Sequence, residues 1–231
     1  MIDQMKIAIW GDSVLKGIIL NKQGRYEVFP ENCARELERK HGLKIENRSR
    51  FGCTITKGMH QLERALANGL DCDYVLLEYG GNDCDFDWKA VSDDPTQLHQ
   101  PRTRLEDFVK IYEDMIQLLK KHAITPIMVS LPPISGRKYL DYLVLNGLSR
   151  ENLLHFLGED SMIYRFQESY SLAVTTLAHR LGCVYAPVRE VFLKQKNQPD
   201  YICEDGIHPN EKGHRLMQTV FESMAFEAAL V

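Results

Sequence analysis

Short apolar runs alternate along the chain with longer segments whose apolar residues recur every three or four positions. The apolar runs predict five β-strands, namely Lys6–Trp10, Leu43–Asn47, Tyr74–Tyr79, Thr125–Leu131 and Cys183–Ala186. The periodic segments predict five helices, namely Glu31–His41, Thr54–Asn68, Leu105–His122, Met162–Leu181 and Glu211 to about Ala228. Strands that alternate with helices favour a parallel sheet covered on both faces. The pattern therefore predicts an α/β protein.

Two long segments interrupt this alternation, near residues 83–104 and 134–160. The first is polar but contains Trp88, and the second carries two short apolar stretches, Tyr139–Leu145 and Leu153–Leu157. Long segments of this kind often shape a binding site, and surface decoration is the alternative. We expect them to line a pocket, with Trp88 contacting substrate. No repeat or linker divides the chain, so residues 1–231 are predicted to form one domain.

Small polar motifs follow the first three predicted strands. Gly11-Asp12-Ser13 follows the first, Gly52 lies shortly after the second, and Gly80-Gly81-Asn82-Asp83 follows the third. Parallel strands present their carboxyl ends at one edge of the sheet, where open α/β sheets bind their ligands. We therefore expect these motifs to come together. Thr54, just beyond the second motif, is expected to cap the helix that follows it.

Ser13 is the candidate nucleophile, and a serine hydroxyl needs a neighbouring base to act as one. His208 is the candidate base because Asp205, three residues upstream, can orient its imidazole and stabilise the cation. Glu211 and His214 have the same spacing, but they fall inside a predicted helix, where such a pair usually marks a solvated face. The pattern favours His208 over His214.

Gly52 and Asn82 are candidate oxyanion donors, together with the backbone N–H of Ser13. A glycine lets substrate approach the backbone closely, and a carboxamide N–H adds a second donor for charge that develops in a transition state. Taken singly, Gly52 could be a turn glycine, and the Asn82-Asp83 pair could cap a helix.

The loop after the first predicted strand, which carries Ser13, lacks the dinucleotide-binding, P-loop and G-x-S-x-G patterns.

The composition removes several partners from consideration. The 231 residues include 28 basic and 32 acidic side chains, a net charge of −4, which gives no reason to expect nucleic acid. No apolar run approaches the ~20 residues of a membrane span, and the N-terminus lacks a signal-peptide pattern. We therefore expect a cytoplasmic location and free thiols for the six cysteines, none of which forms a CxxC pair.

The set and order of these motifs point to a serine esterase and resemble the four sequence blocks of the SGNH hydrolases, also called the GDSL esterase/lipase family. The resemblance runs from Gly11 to His214, and its most specific parts are GGND at 80–83 and DGIHPN at 205–210. The first block reads GDSV rather than GDSL. The second reads Phe51-Gly52-Cys53-Thr54 rather than the commoner small-Gly-Asp-Thr, which makes the pocket floor less polar.

The resemblance implies a flavodoxin-like, three-layer α/β/α fold with five parallel strands in the order 2-1-3-4-5. It implies ester or thioester hydrolysis with no metal and no other cofactor. Carried over by motif, Ser13 is the nucleophile, His208 the base and Asp205 its orienting group. Gly52 and Asn82, with the Ser13 N–H, form the oxyanion hole.

The leading hypothesis is hydrolysis of a short-chain acyl ester, an acetyl ester included. An acyl-thioesterase, a lysophospholipase and an acyltransferase are alternatives, the last requiring a site that excludes water. A non-catalytic ligand-binding module on the same fold belongs to a different class, and it would not need Ser13, Asn82, Asp205 and His208 all intact. The expected partner is a small-molecule ester, and the sequence leaves a homo-oligomer open.

Overall fold

A computed structural model of the protein describes residues 5–229. Its strands are β1 (Lys6–Gly11), β2 (Ile18–Leu20), β3 (Tyr26–Val28), β4 (Lys44–Asn47), β5 (Tyr74–Glu78), β6 (Thr125–Val129) and β7 (Val184–Ala186). Its helices are α1 (Ser13–Lys16), α2 (Cys33–His41), α3 (Ile55–Ala67), α4 (Trp88–Asp93), α5 (Leu105–Lys121), α6 (Gly136–Leu145), α7 (Arg150–Leu157), α8 (Ser161–Arg180), α9 (Val188–Leu193) and α10 (Glu211–Ala229). A short 3₁₀ turn covers Gln198–Tyr201.

Five parallel strands form the main sheet, in the order β4-β1-β5-β6-β7. If the five predicted strands are numbered along the chain, this order is 2-1-3-4-5, so the flavodoxin-like arrangement is confirmed. Successive side chains of a strand point to opposite faces. Trp10 and Leu77 accordingly pack into one core with α3, α5 and α8, whereas Ile9 and Leu76 pack into a second core with α2, α9 and α10.

The hydrophobic pattern did not predict the short elements outside the main sheet, and it showed α6 and α7 only as two short apolar stretches. Strands β2 and β3 form an antiparallel hairpin between the first strand and the first long helix, and α1, α4 and α9 have only four to six residues each. Elements of three to six residues contain too few apolar positions to show a period. The long helices and main-sheet strands lie within two residues of their predicted bounds.

The start of α3 differs from the prediction. Thr54 occupies the N-cap position, but its side chain makes no capping hydrogen bond. The Asp83 carboxylate, which follows β5, instead accepts from Ile55 N at 3.0 and 3.2 Å and from Thr103 Oγ1 at 2.6 Å. Asp83 therefore ties the loop before α3 to the two loops that flank α4. The capping alternative for Asn82-Asp83 thus holds for Asp83, although the helix it caps is distant in sequence.

The two irregular segments fold into helices that share a third apolar core. Helices α4, α6 and α7 and the start of α8 bury a group of large side chains, among them Phe86, Trp88, Leu140, Leu153 and Ile163. Main-chain and side-chain bonds hold α6 to the loop before α10: Ser135 N donates to Gly206 O at 2.7 Å, and Lys138 Nζ donates to Ile202 O at 3.1 Å. The group of helices formed by α4, α6, α7 and the start of α8 is therefore anchored, through α6, to the loop that carries His208.

All six cysteines are free thiols. None of the helices within residues 5–229 is long and apolar enough to cross a membrane.

Gly206 is predicted to be essential for docking α6 onto this loop. Its φ is +80°, and a Cβ there would lie 2.2 Å from Tyr139 N. Gly69 has a similar φ of +78° with nothing within 4 Å of a Cβ, and it ends a helix through the hydrogen bonds typical of a left-handed residue, so it is the control. Gly69→Ala should lose about 1 kcal/mol from strain alone, and Gly206→Ala about 2–3 kcal/mol more from the clash. Urea unfolding measures both, and equal losses would contradict the packing argument.

Candidate active site

The structure brings Ser13, His208 and Asp205 into one chain of hydrogen bonds. His208 Nε2 lies 2.8 Å from Ser13 Oγ, and His208 Nδ1 lies 2.6 Å from Asp205 Oδ2. All three side chains are buried; Asp205 has no solvent exposure. The arrangement lets the imidazole accept the serine proton while the carboxylate stabilises the resulting cation. The three residues that the sequence singled out for this chemistry are therefore in contact.

The loop that carries Asp205 and His208 is held by the same carboxylate. Asp205 Oδ1 accepts from Ile207 N at 3.0 Å and from His208 N at 3.1 Å. Cys203 N donates to His208 O at 2.8 Å, which closes the loop. Burial opposes ionisation of Asp205, but the hydrogen bonds from His208 and these N–H groups outweigh it and hold the pKa of Asp205 below its ordinary value.

Ser13 lies at the first turn after β1. Asp12 caps α1, with Oδ1 accepting from Val14 N at 2.8 Å, and Gly17 ends the helix in the left-handed conformation. This tight turn directs the Ser13 hydroxyl toward His208. Only 6 % of Ser13 is exposed, and its hydroxyl is reached through a cleft that Ser13 itself helps to line.

The candidate oxyanion donors lie beside Ser13 in the same cleft. Gly52 has a φ of +66°, which L side chains rarely adopt, and within residues 5–229 its N–H donates to no protein acceptor. Asn82 Nδ2 donates one hydrogen to Asp12 Oδ2 at 2.8 Å, which leaves its second N–H for a ligand. Two donors are thus available at the nucleophile.

A cleft of about 340 Å³ opens next to Ser13. Both irregular segments, near residues 83–104 and 134–160, contribute to its walls, as expected from their positions in the sequence. Trp88 is one of the wall residues, and its indole N–H contacts Asp85 Oδ1 at 2.6 Å and Tyr139 Oη at 3.0 Å. The cleft lining also includes an apolar group, Leu131, Pro132, Ile134, Leu143, Ile163 and Phe166, and a polar group, Asp85, Arg102 and Gln167.

Aromatic rings flank His208. The sequence did not predict Tyr26 here, and it placed Phe51 and Cys53 at the pocket floor, whereas Phe51 lies at the exposed rim and Cys53 is not among the cleft-lining residues. Tyr26, on the short β2–β3 hairpin, lies edge-on to His208 with ring centroids 5.2 Å apart, and Phe51 stacks at 5.9 Å. Tyr26 Oη is 3.3 Å from Tyr142 Oη of α6. The hairpin and α6 therefore meet at the mouth of the cleft. Phe51 is 52 % exposed there.

One further buried residue of the cleft, Glu78, lies outside the four motifs but still has a signal in the sequence. Glu78 is a lone carboxyl group at the end of an otherwise apolar strand, and it lines the cleft with 1 % exposure. A charged residue in a fully buried strand is exceptional. That exception could have identified Glu78 without a structure.

His214, the competing histidine, lies away from the cleft lining and is fully buried against Phe29, with ring centroids 5.9 Å apart. The expectation of a solvated face was therefore wrong for His214, although Glu211 is exposed. The helix turns His214 inward while it leaves Glu211 outside. Burial lowers the pKa of His214 to about 4, with the Ile18 backbone partly offsetting that effect.

Cysteines next to the motifs are buried as neutral thiols. Burial raises the pKa of Cys53 and Cys84, and raises that of Cys203 to about 11. Within residues 5–229 there is no group of three or more His, Cys, Asp or Glu side chains that could hold a metal ion.

The chain matches one protein family over most of its length. A family model described as GDSL-like lipase/acylhydrolase matches residues 9–216. None of the curated proteins matches the chain significantly by sequence. Among solved structures, a lipase/acylhydrolase from Enterococcus faecalis is 14% identical over 97% of both chains, with a TM-score of 0.69.

Two further solved structures share the fold at similarly low identity. LAE5, an α/β hydrolase from the metagenome of Lake Arreo, is 20% identical and covers 97% of this chain and 96% of its own, with a TM-score of 0.69. A catalytic mutant of Axe2, an acetylxylan esterase from Geobacillus stearothermophilus, is 15% identical over 97% and 95%, with a TM-score of 0.62.

His214 gives a pH-dependent stability prediction. The unfolded chain binds a proton at His214 below pH 6.5, whereas the folded protein does so only near pH 4, so stability is lost as the pH falls through this window. Relative to His214→Leu, the wild type should lose about 3 kcal/mol of unfolding free energy between pH 7 and pH 4. His60 is exposed, and His60→Leu should follow the wild type. If the unfolding free energies of all three proteins changed in parallel with pH, burial of His214 would not be the source of the pH dependence.

Proposed function

Because the chain belongs to the GDSL-like lipase/acylhydrolase family, whose members are hydrolases acting on esters, we propose that it cleaves carboxylic esters through an acyl-enzyme intermediate on Ser13. The observation that carries this proposal is the unbroken chain from Asp205 through His208 to Ser13, with bonds of 2.6 and 2.8 Å. Such a chain generates an activated serine and has no comparable purpose in a binding module.

The reaction proceeds in two halves. His208 Nε2 takes the Ser13 proton as Oγ attacks the acyl carbon, and the tetrahedral intermediate then expels the alcohol, which receives that proton from His208. Water enters, loses a proton to His208 and attacks the acyl carbon. Collapse releases the carboxylic acid and returns the proton to Ser13. Asp205 keeps its charge throughout and stabilises the imidazolium.

The oxyanion of each intermediate would bind to Gly52 N–H, to the second N–H of Asn82 Nδ2 and to Ser13 N–H. These dipoles are fixed before the reaction begins, and charge at the carbonyl oxygen is greatest in the transition state. Three features support these assignments: the positive φ of Gly52, its unused N–H, and the fixed orientation of the Asn82 amide by Asp12.

We propose a short-chain acyl ester as the substrate, with acetyl esters included. The acetylxylan esterase with the same fold supports acetyl esters. The apolar wall beside Trp88 supports longer chains, and we propose Trp88 as a substrate contact. Relative turnover of p-nitrophenyl acetate, butyrate and octanoate distinguishes these chain lengths. Thioester, lysophospholipid and alcohol-acceptor assays test the alternative activities. One domain over residues 1–231 and a cytoplasmic location stay predictions.

Ser13→Ala should abolish ester hydrolysis. Removal of a triad serine typically costs on the order of 10⁴-fold or more in kcat, and the fold should survive because the hydroxyl contributes one hydrogen bond. Ser169 on α8 is exposed, and its hydroxyl donates to Arg165 O of the same helix, so Ser169→Ala is the matched control and should retain activity. Turnover of p-nitrophenyl butyrate by folded Ser13→Ala protein at a rate near that of the control would overturn the mechanism.

Replacement of His208 tests whether the residues act as one unit. His208→Ala should cost as much as Ser13→Ala, and the double variant should be no worse than either, because the proton transfer is already lost. Asp205→Asn should cost about 10- to 100-fold less, since the residue orients the imidazole and transfers no proton. Asp200 is exposed, and Asp200→Asn serves as the control. Additive losses in the double variant would show that the two residues act separately.

A further inference from the structure

Two carboxyl groups lie side by side beneath the candidate oxyanion site. Gly11 at the end of β1 is paired with Glu78 at the end of β5, which brings the following residue, Asp12, next to the Glu78 side chain. Asp12 is 2 % exposed, Glu78 is 1 % exposed, and both line the cleft. Their carboxyl groups are within hydrogen-bonding contact. Two buried carboxylates cannot both be ionised at this separation without a large cost, so the pair shares one proton.

The hydrogen bonds around the pair assign that proton to Glu78. Asp12 accepts from Val14 N at 2.8 Å and from Asn82 Nδ2 at 2.8 Å, and both bonds favour its charged form. Among residues 5–229, no N–H or O–H group donates to Glu78 Oε2. Burial raises the pKa of Glu78 well above its usual range, and the neighbouring Asp12 charge raises it further. The backbone N–H of Asp12 also contacts the Glu78 carboxyl and opposes this shift without reversing it. Burial also raises the pKa of Asp12, but these N–H donors oppose that effect.

We propose that Glu78 is a positioning residue for ester cleavage: as a neutral carboxylic acid it donates a hydrogen bond to Asp12, and Asp12 in turn holds the Asn82 amide at the oxyanion site. The inference rests on the proposed function, because Asn82 matters only if an oxyanion forms. Glu78 touches no reacting atom in this scheme. It acts through Asp12, whose two oxygens are bonded to the first turn of α1 and to Asn82.

The surroundings explain why neutrality of Glu78 is needed. The titratable groups that interact with the pair are Tyr79, Asp83 and Cys84 from the segment around the end of β5, Cys53 from the loop before α3, Tyr112 from α5, Cys33 from α2, and His208 beyond Asp12. Of these, only His208 can carry a positive charge. A second carboxylate would therefore lie uncompensated beside the site where the substrate oxygen becomes negative. It would oppose the charge that Asn82 and Gly52 are placed to stabilise.

Two substitutions separate the donor from the volume of the side chain. Glu78→Gln keeps an N–H donor for Asp12, so its kcat should stay within about threefold of the wild type. Glu78→Met keeps the length but has no donor, so Asn82 loses its support and kcat should fall about 10- to 100-fold with KM nearly unchanged. Glu190, whose carboxylate accepts from Ser130 Oγ and Tyr185 Oη outside the cleft, is the control. Glu190→Met should affect stability and leave kcat alone.

A double variant tests whether Glu78 acts through Asn82. Asn82→Ala should itself lower kcat by about 10²–10³-fold. Adding Glu78→Met to Asn82→Ala should then cost less than about twofold, because the group being positioned is gone. A full further loss in the double variant would overturn the inference and leave the esterase mechanism intact. An Asn82→Ala variant with normal kcat would instead overturn the oxyanion assignment in the proposed function.

Infrared difference spectra test the protonation state independently, including the case in which Glu78→Met fails to fold. At pH 8 most other carboxyls, including Asp83 with its pKa raised to about 6 by burial, are ionised. The wild type should show the C=O stretching band of a protonated carboxylic acid that Glu78→Gln lacks. If the wild type lacks that band, or if Glu78→Gln retains it, Glu78 is not the neutral donor and the inference is wrong.

Discussion

The hydrogen bond between Ser13 Oγ and His208 Nε2 joins positions 195 residues apart, and the rest of the structure is organised around it. It forms only if β1 lies in the interior of the sheet and the loop before α10 returns to its carboxyl end. The strand order β4-β1-β5-β6-β7 satisfies the first requirement, and the 2.8 Å bond itself shows that the loop satisfies the second. The candidate active site is therefore complete only in the folded sheet.

Buried carboxylates do most of the positioning at this edge, and each has a different set of donors. Asp205 accepts two backbone N–H groups and the imidazole, which makes its charged form favourable. Asp83 accepts from the first turn of α3 and from Thr103. Glu78 is in contact with Asp12, but none of the groups within residues 5–229 donates to its Oε2, and it is the one we assign as neutral. An unpaired buried charge costs several kcal/mol, so the donors available to each group decide its state.

The sequence predicted most of the long elements, because long periodic segments leave a clear pattern. Its motifs also singled out Ser13, His208 and Asp205, which the structure joins through His208. It did not predict that Asp83 caps α3, that His214 is buried, or that Tyr26 lies against His208. In each case the partner is distant along the chain. Ile55 is 28 residues from Asp83, and no local pattern reports that pairing. The order of the strands came from family resemblance, since the pattern of apolar runs does not specify which strands are neighbours.

The proposed mechanism depends most on Ser13 being a nucleophile that His208 activates. Labelling with a fluorophosphonate, followed by peptide mass spectrometry, tests this directly because the reagent needs an activated serine and forms a stable adduct. The mechanism predicts one adduct per chain, on the peptide containing Ser13, prevented by excess ester and slowed severely in His208→Ala. An adduct on another residue, or labelling of Ser13 at the same rate in His208→Ala, would contradict it.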